Sequence, residues 1–556
     1  MNSYLTKNTL CFELCFSPQV HLLLSLDNHE WELVVFFHFF VNDMRSFLLF
    51  TAILSVALCA DVPNIWPLPK EYKNGDGVIS VDVSRFRFHT TQTSNELMEA
   101  FQRYYELMFD RRSAPVEGKN IWNVEVEVEE GKTELQLGVD ESYTLVIPDD
   151  GSDVVISAKN VFGAMHGMET FSQLVEFDAE TMTYVIRNAP WTIKDEPRFP
   201  HRGILMDTSR HYESLPSIKK LIDSMTYAKL NVLHWHITDS QANPAQSNVY
   251  PKWWDGSYTL YERYTISDFE EIVEYARMRG VRVVPEMDVP GHEASWCAGY
   301  PEVCPRADCH EPLDPTSEVT WELIQGILGE WTGKEQGKGI FPDNYYHMGG
   351  DEVDTSCWKT TARIVDWMKA NNFTDNDTYK YFVHKVHDYV KENKRNSIYW
   401  EEVWTNFRTD LDKDSIIETW LSKKTMKDVV SNGYRTIISN LNLYLDYLDH
   451  TWKTLYLDEP FEFTDVPEEQ ALVLGGETCM WAETVDVSDL YNTVWPRAGA
   501  FAERYWSPRE VTDIDSAHTR LQHFRCLLNK RGIPAAPVDN ANARQAPPGP
   551  GSCYAQ

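Results

Sequence analysis

Two adjacent carboxylates, Asp351 and Glu352, follow the short apolar segment Tyr345–Met348 and the pair Gly349-Gly350. Glycines where a strand ends allow the backbone to approach a ligand closely, and carboxylates presented at a strand end are candidates for catalysis. The same residues are also compatible with a plain acidic turn, and this segment alone does not separate the two interpretations. The residues that surround the pair must decide between them.

Seven further strands are predicted, each followed by polar or aromatic residues. After residue 200, apolar segments alternate with helical periods such as Pro216–Lys229, Ser267–Met278 and Val319–Trp331. Eight strands joined by crossover helices predict an α/β fold, a parallel (β/α)8 TIM barrel, rather than an open sheet. The predicted strands are Gly203–Asp207, Val232–Thr238, Arg282–Met287, Tyr345–Met348, Ser397–Trp400, Ile416–Trp420, Thr436–Ser439 and Ala471–Gly475.

The segments after these strands supply candidate ligand-binding side chains at one rim of the barrel. A single His or Trp at a strand end is more often a packing residue, but their recurrence at one rim favours a functional site. Besides Asp351 and Glu352, the candidates are Arg210, Asp239, His292, Trp400, Trp420, Tyr444, Asp446, Trp481 and Glu483.

This mixture of side chains suits a carbohydrate ligand. Indole rings cover the apolar face of a pyranose, and charged groups form bidentate hydrogen bonds with its hydroxyls. Paired carboxylates then indicate cleavage of a glycosidic bond, in which an acid and a nucleophile lie about 5–5.5 Å apart and an inverting pair about 6.5–9.5 Å apart. Residues that are adjacent in the sequence cannot be assigned to either geometry by spacing alone.

The chain of 556 residues is too long for one ordinary core, so a second domain is expected. Residues 61–195 alternate strand-like segments with helical patterns at Ser94–Phe109 and Val161–Val175, which predicts a small α+β domain. The turn-rich segment Glu196–Pro200 is the predicted boundary. The barrel is expected over residues 196–535, ending in helices near Val494–Trp506 and Ala517–Arg531, and a strap rich in Ala, Pro and Gly over residues 536–556. The strands predicted in the small domain are Ile121–Val128, Glu134–Leu137, Tyr143–Ile147 and Asp153–Ser157.

The charge balance argues against some classes of partner. The chain has 84 acidic and 51 basic residues, for a formal charge of −33. Such a chain is a poor partner for nucleic acid or for an anionic membrane surface. A neutral or cationic ligand, or an acidic compartment, agrees better with the charge, although solubility alone also accounts for much of it.

The N-terminal region has the pattern of a targeting segment. Residues 44–60 combine a basic start, the apolar run Phe47–Leu58 and small residues at the end, as in a secretory signal peptide, with cleavage expected near Ala60. Residues 1–43 are then expected to be a non-native or alternative extension. The apolar run Leu33–Val41 offers a membrane anchor as the alternative, which Asp43 and Arg45 disfavour.

Seven cysteines follow the predicted cleavage site, namely Cys297, Cys304, Cys309, Cys357, Cys479, Cys526 and Cys553. An odd number predicts one unpaired thiol, and Cys479 is the candidate because it lies in an apolar strand pattern. The other six are candidates for three disulfides in an oxidising compartment, with Cys553 a candidate partner for Cys526. Their spacing is not that of a zinc site. The sequons at Asn372 and Asn376 are candidate glycosylation sites.

Seven distinctive motifs are His347–Val353, Asp207–Tyr212, Pro290–His292, Leu313–Thr316, Gly475–Glu483, Trp495–Ala498 and, in the small domain, Gly138–Tyr143. Together they resemble the β-N-acetylhexosaminidases of glycoside hydrolase family 20, and most closely the animal lysosomal type. The resemblance spans nearly the whole mature chain.

The resemblance implies an exo-acting enzyme that releases terminal GlcNAc or GalNAc by retaining, substrate-assisted catalysis, without an enzyme nucleophile. Glu352 is implied to protonate the leaving oxygen from a partly buried position and later to activate water. Asp351 is implied to remain ionised, to orient the 2-acetamido group and to stabilise an oxazolinium intermediate. Tyr444 is implied to donate to the acetamide carbonyl. The implied walls of the acetamido pocket are Trp400, Trp420 and Trp481.

The remaining rim residues take binding roles by the same resemblance. Arg210 is implied to grip ring hydroxyls, and Asp446 and Glu483 to bind the far hydroxyls and close the pocket. Asp239 and His292 are implied to hold the site, with His292 supporting Glu352. The resemblance further implies no cofactor and no metal, a homodimer, and glycans of oligosaccharides, glycoproteins or glycolipids as partners. It also implies passage through the secretory pathway to a lysosomal or extracellular location.

Two positions depart from the family pattern. Many relatives have a second Asp followed by Phe-Pro-Tyr where this chain has Ser240–Ala245, which alters the wall near Asp239. Tyr447 stands where one mammalian subunit type has an Arg that favours anionic sugars, so we expect a preference for neutral sugars. By resemblance, Cys357 is expected to pair with a cysteine of the Cys297–Cys309 loop, without indication of which one.

Two alternative functions are compatible with the sequence. One is a chitooligosaccharide-degrading relative, which differs in substrate rather than in chemistry. The other is a carbohydrate-binding protein without turnover, and the presence of Asp351, Glu352 and Tyr444 together argues against it, because a binder needs no acid catalyst.

Overall fold

The computed structural model of the chain describes residues 62–92, 94–333 and 339–539, and the backbone of five strands between residues 4 and 37. These strands pair antiparallel, β1 with β2 and β3 with β4 with β5, within a unit that ends at residue 61. The predicted signal peptide, residues 44–60, lies outside the described residues. Among the described helices, none has the length and apolar character needed to cross a membrane. The strands are β1 Tyr4–Thr6, β2 Thr9–Cys11, β3 Glu13–Ser17, β4 Val20–Asp27 and β5 Glu30–Phe37.

The predicted α+β domain is confirmed. Its mostly antiparallel sheet has the strand order β7-β9-β11-β10-β13-β6-β8, with β12 beside β13. The helix predicted from Ser94 begins there because the Ser94 hydroxyl accepts the backbone N–H of Leu97. The elements are β6 Glu71–Val81, β7 Arg87–His89, α1 Asn95–Met108, β8 Asn120–Ile121, β9 Asn123–Glu130, β10 Tyr143–Ile147, β11 Val154–Asn160, α2 Val161–Leu174, β12 Glu176–Asp178 and β13 Thr183–Asp195.

One strand prediction in this domain is wrong. The segment Glu134–Leu137 is irregular, because its side chains bond to the barrel instead of to a neighbouring strand. Gln136 donates to the carbonyl of Pro342 and accepts the backbone N–H of Asn344, at distances of 3.0 Å each.

The predicted barrel is also confirmed: eight parallel strands close in the order β14 to β21. They are β14 His201–Asp207, β15 Val232–His236, β16 Arg282–Glu286, β17 Tyr345–His347, β18 Asn396–Trp400, β19 Ile416–Thr419, β20 Arg435–Ile438 and β21 Val473–Met480. The helices around them are α3 Leu215–Tyr227, α4 Ile266–Arg277, α5 Glu318–Thr332, α6 Ser356–Thr360, α7 Ala362–Asn371, α8 Asp375–Glu392, α9 Glu401–Phe407, α10 Lys423–Ser431, α11 Trp452–Leu457, α12 Pro467–Gln470, α13 Leu490–Val494, α14 Arg497–Trp506 and α15 Ile514–Lys530.

The last strand differs most from its prediction. It was expected to end at Gly475, yet β21 continues to Met480 and pairs with both β14 and β20. Gly475 and Gly476 are needed there because added side chains would collide with backbone: a Cβ on Gly475 would lie 1.8 Å from the carbonyl oxygen of His201. The glycine pair therefore marks close strand contact rather than a strand end.

Alternation along the strands gives the barrel two kinds of interior. At one level the interior is aliphatic, with Val232, Val284, Ile398, Ile416 and Ile437 in one buried cluster. Along β15, the inward residues after Val232 are His234 and then His236. Leu233 and Trp235, which alternate with them, point outward into the main core. The barrel core thus changes from apolar to charged as it approaches the strand ends.

The α+β domain and the barrel share a buried interface. Every residue of α2 from Val161 to Gln173 is buried, and Arg202 of β14 forms a bidentate ion pair with Glu141, at 2.7 and 2.9 Å. Burial alone would raise the pKa of Glu141, but Arg202 and His166 lower it to about 2. Lys229 pairs with Asp195 of β13 in the same interface, at 2.8 Å.

We predict that Glu141→Ala destabilises the protein by about 3–5 kcal/mol, because removing one partner leaves the buried guanidinium of Arg202 without its counter-charge. Chemical denaturation measures the loss. Glu196→Ala is the matched control: Glu196 pairs with Lys70 on the surface, where both side chains are about half exposed, so we expect a loss below about 1 kcal/mol. Equal losses in the two variants would contradict the conclusion that the buried Arg202–Glu141 pair contributes more to stability than a surface ion pair.

Candidate active site

A pocket of about 240 Å³ opens at the rim formed by the C-terminal ends of the barrel strands. All eight strands supply residues to it or to the shell beneath it. Of the predicted site residues, only Asp239 does not line the pocket: it is fully buried below and contacts two that do, Arg210 and His292. The lining residues are Arg210, His292, Asp351, Glu352, Trp400, Trp420, Tyr444, Asp446, Tyr447, Trp481 and Glu483.

The turn after β17 places the two adjacent carboxylates. Gly349 and Gly350 both have positive φ, and a Cβ on Gly349 would overlap Asp288, 1.8 Å from its Oδ1. Asp288 Oδ1 also accepts the backbone N–H of Gly350 at 2.7 Å. Glu352 and His292 have strained backbones, each with a φ angle of 47°. Residues other than glycine rarely adopt this left-handed conformation. The segment is a tightly packed turn that holds two carboxyls at the pocket rather than a plain acidic surface turn.

The two carboxylates occupy opposite environments. The Asp351 side chain is only 13% exposed, whereas that of Glu352 is 60% exposed at the pocket opening. The expected partial burial of Glu352 is therefore not found, because the side chain projects from the turn towards solvent.

The surroundings of the Asp351 carboxyl favour its protonated form, whereas the resemblance implies an ionised one. Burial, and then the neighbouring carboxyl of Asp288, raise the pKa of Asp351 well above its usual range. Burial likewise raises the pKa of Asp288, whose side chain hydrogen-bonds to that of Asp351. Two carboxyls that interact in a buried site titrate as a pair rather than independently.

His292 lies between the buried acids and the exposed one. Its Nε2 is 3.8 Å from Asp351 Oδ2 and 3.7 Å from Glu352 Oε2, and its Nδ1 is 3.3 Å from Asp239 Oδ1. Burial would lower the pKa of His292, but Asp288, Asp351 and Asp239 raise it to about 12. The imidazolium is thus a fixed cation within reach of Glu352. Asp288, His292 and Asp351 lie close enough together to hold a metal ion, but a protonated His292 competes for that position.

Arg210 is held in place by carboxylates before any ligand arrives. Its guanidinium lies 2.9 Å from Asp207, 2.7 Å from Asp239 and 3.7 Å from Glu483. Its Nε donates to Gln241 at 3.0 Å. Gln241 belongs to the segment that departs from the family pattern, so this departure acts directly on the arginine.

Aromatic rings form the walls of the pocket. Trp420 and Tyr444 stack with centroids 6.1 Å apart, and Trp400 and Trp481 lie 6.0 Å apart. Two glutamates that were given no role from the sequence hold Trp420. Glu402 accepts its indole N–H at 3.0 Å, and Glu401 accepts the backbone N–H groups of Trp420 and Leu421, at 2.9 and 2.8 Å.

Two buried oxygen atoms face this pocket without a partner among the described residues: Oδ1 of Asp351 and Oδ1 of Asp446. Buried polar atoms are nearly always hydrogen-bonded in proteins, so an unpartnered pair in one pocket indicates a polar ligand. Burial raises the pKa of Asp446 to about 6.

Disulfides fix the loops beside the site. Cys357, just after the catalytic turn, pairs with Cys309, and Cys297 pairs with Cys304, which confirms the expected bridge and identifies the partner. Cys479 is buried and unpaired, as predicted. Cys526 is disulfide-bonded, and its predicted partner Cys553 lies outside the described residues. The sequon asparagines Asn372 and Asn376 are both exposed.

Comparison with known families now identifies the chain. Residues 199–509 match the model of the glycosyl hydrolase family 20 catalytic domain, and residues 65–174 match the model described as beta-acetyl hexosaminidase like. The chain belongs to glycosyl hydrolase family 20.

Individual members of the family resemble it over most of its length. Beta-hexosaminidase 1 of Arabidopsis thaliana is 44% identical over 93% of this chain and 99% of its own. The alpha subunit of mouse (Mus musculus) beta-hexosaminidase is 37% identical over 87% and 96%, respectively. The motifs alone pointed to the animal type, but the plant enzyme is the more similar of the two. The crystal structure of Flavobacterium johnsoniae chitobiase superimposes with a TM-score of 0.74 at 28% identity, covering 84% of this chain and 73% of its own.

This family 20 chain is accordingly a glycoside hydrolase of the β-N-acetylhexosaminidase type. The neighbouring carboxyls of Asp351 and Asp288 give a direct test of the electrostatics of the site. We predict that Asp288→Asn moves the ionisation of Asp351 to lower pH by about one unit, because it removes a like charge while burial remains.

The measurement is the pH dependence of kcat/KM with a chromogenic N-acetylglucosaminide. The limb that reports deprotonation of Asp351 should shift towards acid in the variant. If the limb is unchanged, or shifts towards higher pH, the conclusion that Asp288 raises the pKa of Asp351 is contradicted.

Proposed function

We propose that the protein is an exo-acting, retaining β-N-acetylhexosaminidase that removes terminal GlcNAc or GalNAc from glycans by substrate-assisted catalysis through an oxazolinium intermediate. The observation that carries the proposal is the contrast between the two neighbouring carboxylates. Asp351 is buried at an aromatic pocket that fits an acetamido group, while Glu352 stands at the opening where the leaving group must depart.

Glu352 is the general acid and base. Its carboxyl projects at the pocket opening, 3.7 Å from the cationic His292, and a bound sugar would cover its exposed side chain. As the acid it donates its proton to the glycosidic oxygen, and as the base it later takes a proton from water. The nearby imidazolium stabilises the carboxylate that remains after proton transfer.

Asp351 and Tyr444 act on the acetamido group. The free Oδ1 of Asp351 accepts the amide N–H, and the Tyr444 hydroxyl donates to the carbonyl oxygen that attacks the anomeric carbon. As positive charge develops on the acetamido nitrogen, it favours the ionised form of Asp351. The substrate thereby replaces an enzyme nucleophile.

The other lining residues account for exo cleavage of a single sugar. A pocket of about 240 Å³ suits one pyranose rather than an extended chain. Arg210, fixed by its acidic neighbours, would bind ring hydroxyls, and Asp446 and Glu483 would bind the hydroxyls farthest from the scissile bond. Asp239 and His292 hold these groups from below.

The substrate class is a glycan of an oligosaccharide, glycoprotein or glycolipid. A chitooligosaccharide substrate is the second candidate, favoured by the structural match to a protein described as a chitobiase. The complete set of acid, acetamide-binding acid and tyrosine favours turnover over simple carbohydrate binding. We further propose a homodimer without nucleic-acid partners, routed through the secretory pathway to a lysosomal or extracellular location by the segment 44–60, with no cofactor requirement.

Glu352→Gln tests the assignment of the acid. We expect kcat to fall by about 10²–10⁴-fold, because a carboxamide cannot transfer the proton, while the affinity for N-acetylglucosamine stays within a few-fold. Activity with a chromogenic substrate and binding by tryptophan fluorescence measure the two quantities. Near-normal turnover in this variant would remove Glu352 from the mechanism.

Tyr447 gives a prediction about specificity. It lines the pocket as a neutral side chain, 39% exposed, so nothing at this position offers a positive charge to an anionic sugar. We expect kcat/KM for a neutral N-acetylglucosaminide to exceed that for its 6-sulfated form by at least about tenfold, since an unpaired charge would have to be desolvated. Comparable cleavage of the two substrates would contradict this expectation, and Tyr447→Arg should narrow the difference.

A further inference from the structure

A single carboxylate below the pocket binds four side chains. Glu286, at the end of β16, is completely buried and does not line the pocket. Its Oε1 accepts the indole N–H of Trp400 at 2.7 Å and lies 2.9 Å from His347 Nδ1. Its Oε2 lies 2.5 Å from His236 Nδ1 and 3.1 Å from His234 Nε2.

The first arm of this network reaches the aromatic walls. The bond from Trp400 to a carboxylate fixes the plane of one wall, since a charged acceptor strengthens and orients the hydrogen bond. His236 meets the second wall edge-on, with its ring centroid 5.1 Å from that of Trp481. Glu286 thus controls two of the three indoles, one directly and one through its histidine partner.

The second arm reaches the polar side of the pocket. His236 Nε2 lies 2.9 Å from Asp239 Oδ2, and Asp239 in turn contacts Arg210 at 2.7 Å and His292 at 3.3 Å. Burial would lower the pKa of His236, but Glu286 and Asp239 raise it well above its usual range, so the ring is a cation between two anions. Without the charge on Glu286, His236 would lose the anion that holds its Nδ1 side, so the ring that contacts Asp239 would be less firmly fixed.

We propose that Glu286 is a positioning residue for catalysis, which sets Trp400 directly and sets Arg210 and His292 through His236 and Asp239. The inference rests on the proposed function, because it assumes that Trp400 is a wall of the acetamido pocket. Glu286 touches no substrate atom in this arrangement and acts only through the residues that do.

The same barrel offers a matched control. Glu477 is also buried and also bonds to two histidines, His234 at 2.8 Å and His201 at 2.6 Å. None of these three residues lines the pocket, and Glu477 reaches it only through His234, whose ring stacks on that of Trp400 with centroids 6.0 Å apart. Glu286→Gln and Glu477→Gln therefore make the same chemical change at comparable burial, but on opposite sides of His234.

The experiment compares both variants of the full chain with the wild type, well below their melting temperatures and per folded molecule. We expect Glu286→Gln to lower kcat/KM by about 10²-fold and to weaken binding of N-acetylglucosamine by about tenfold, because small displacements of positioned groups are costly to catalysis. Glu477→Gln should stay within about threefold of the wild type in both quantities, although it too loses thermal stability.

Equal losses in the two variants, or kcat/KM within about threefold of wild type for Glu286→Gln, would overturn the proposal. If Glu286→Gln does not fold, Glu286→Asp provides the test. The shorter side chain keeps the charge but cannot contact Trp400 and His236 at the same time. We then expect a loss of about tenfold in kcat/KM, and wild-type values at native stability would overturn the inference. The activity of the wild type distinguishes failure of the proposed function from failure of the positioning role. If the wild type does not cleave N-acetylglucosaminides, the proposed function fails. If the wild type is active and the two variants lose activity equally, only the positioning role of Glu286 is overturned.

Discussion

Every charge inside the barrel must be compensated, and this constraint shapes the catalytic end of the molecule. Isolated charges in a protein interior are too costly to keep, so buried carboxylates are paired or protonated. Here Glu477, His234, Glu286, His236 and Asp239 alternate in sign along one chain of contacts that ends beneath the pocket. Of these five, Glu286, His236 and Asp239 contact residues that line the pocket, whereas Glu477 lies at the far end of the chain.

Asp351 stands out against that background. Its Oδ2 lies 3.8 Å from His292 Nε2, but its side chain also hydrogen-bonds to another acid, Asp288, and its Oδ1 has no hydrogen-bond partner among the described residues. The neighbouring acid disfavours the ionised form of Asp351. An electron-poor group of a ligand placed beside Asp351 would favour the ionised form instead.

The sequence predicted the barrel and its rim because both rest on local patterns. Strand and helix periods place the eight strands, and the strand ends then bring distant residues such as Arg210 and Glu483 to one pocket. What the sequence could not predict depends on long-range contacts. Nothing local distinguishes Glu401 and Glu402 as supports of Trp420, or Asp288 as the neighbour that, together with burial, raises the pKa of Asp351. The inward side of β15 is another such case, since His234 reads as an isolated strand histidine until Glu286 and Glu477 are placed on either side of it.

The central claim is that the substrate's own acetamide is the nucleophile. The most direct measurement is kcat/KM for a series of 4-nitrophenyl N-acylglucosaminides whose acetyl group carries zero to three fluorine atoms. The account predicts that log kcat/KM falls with each added fluorine, because the carbonyl oxygen becomes a poorer nucleophile while the leaving group is unchanged. Rates that do not depend on fluorination would mean that an enzyme carboxylate attacks the sugar, and would contradict the account.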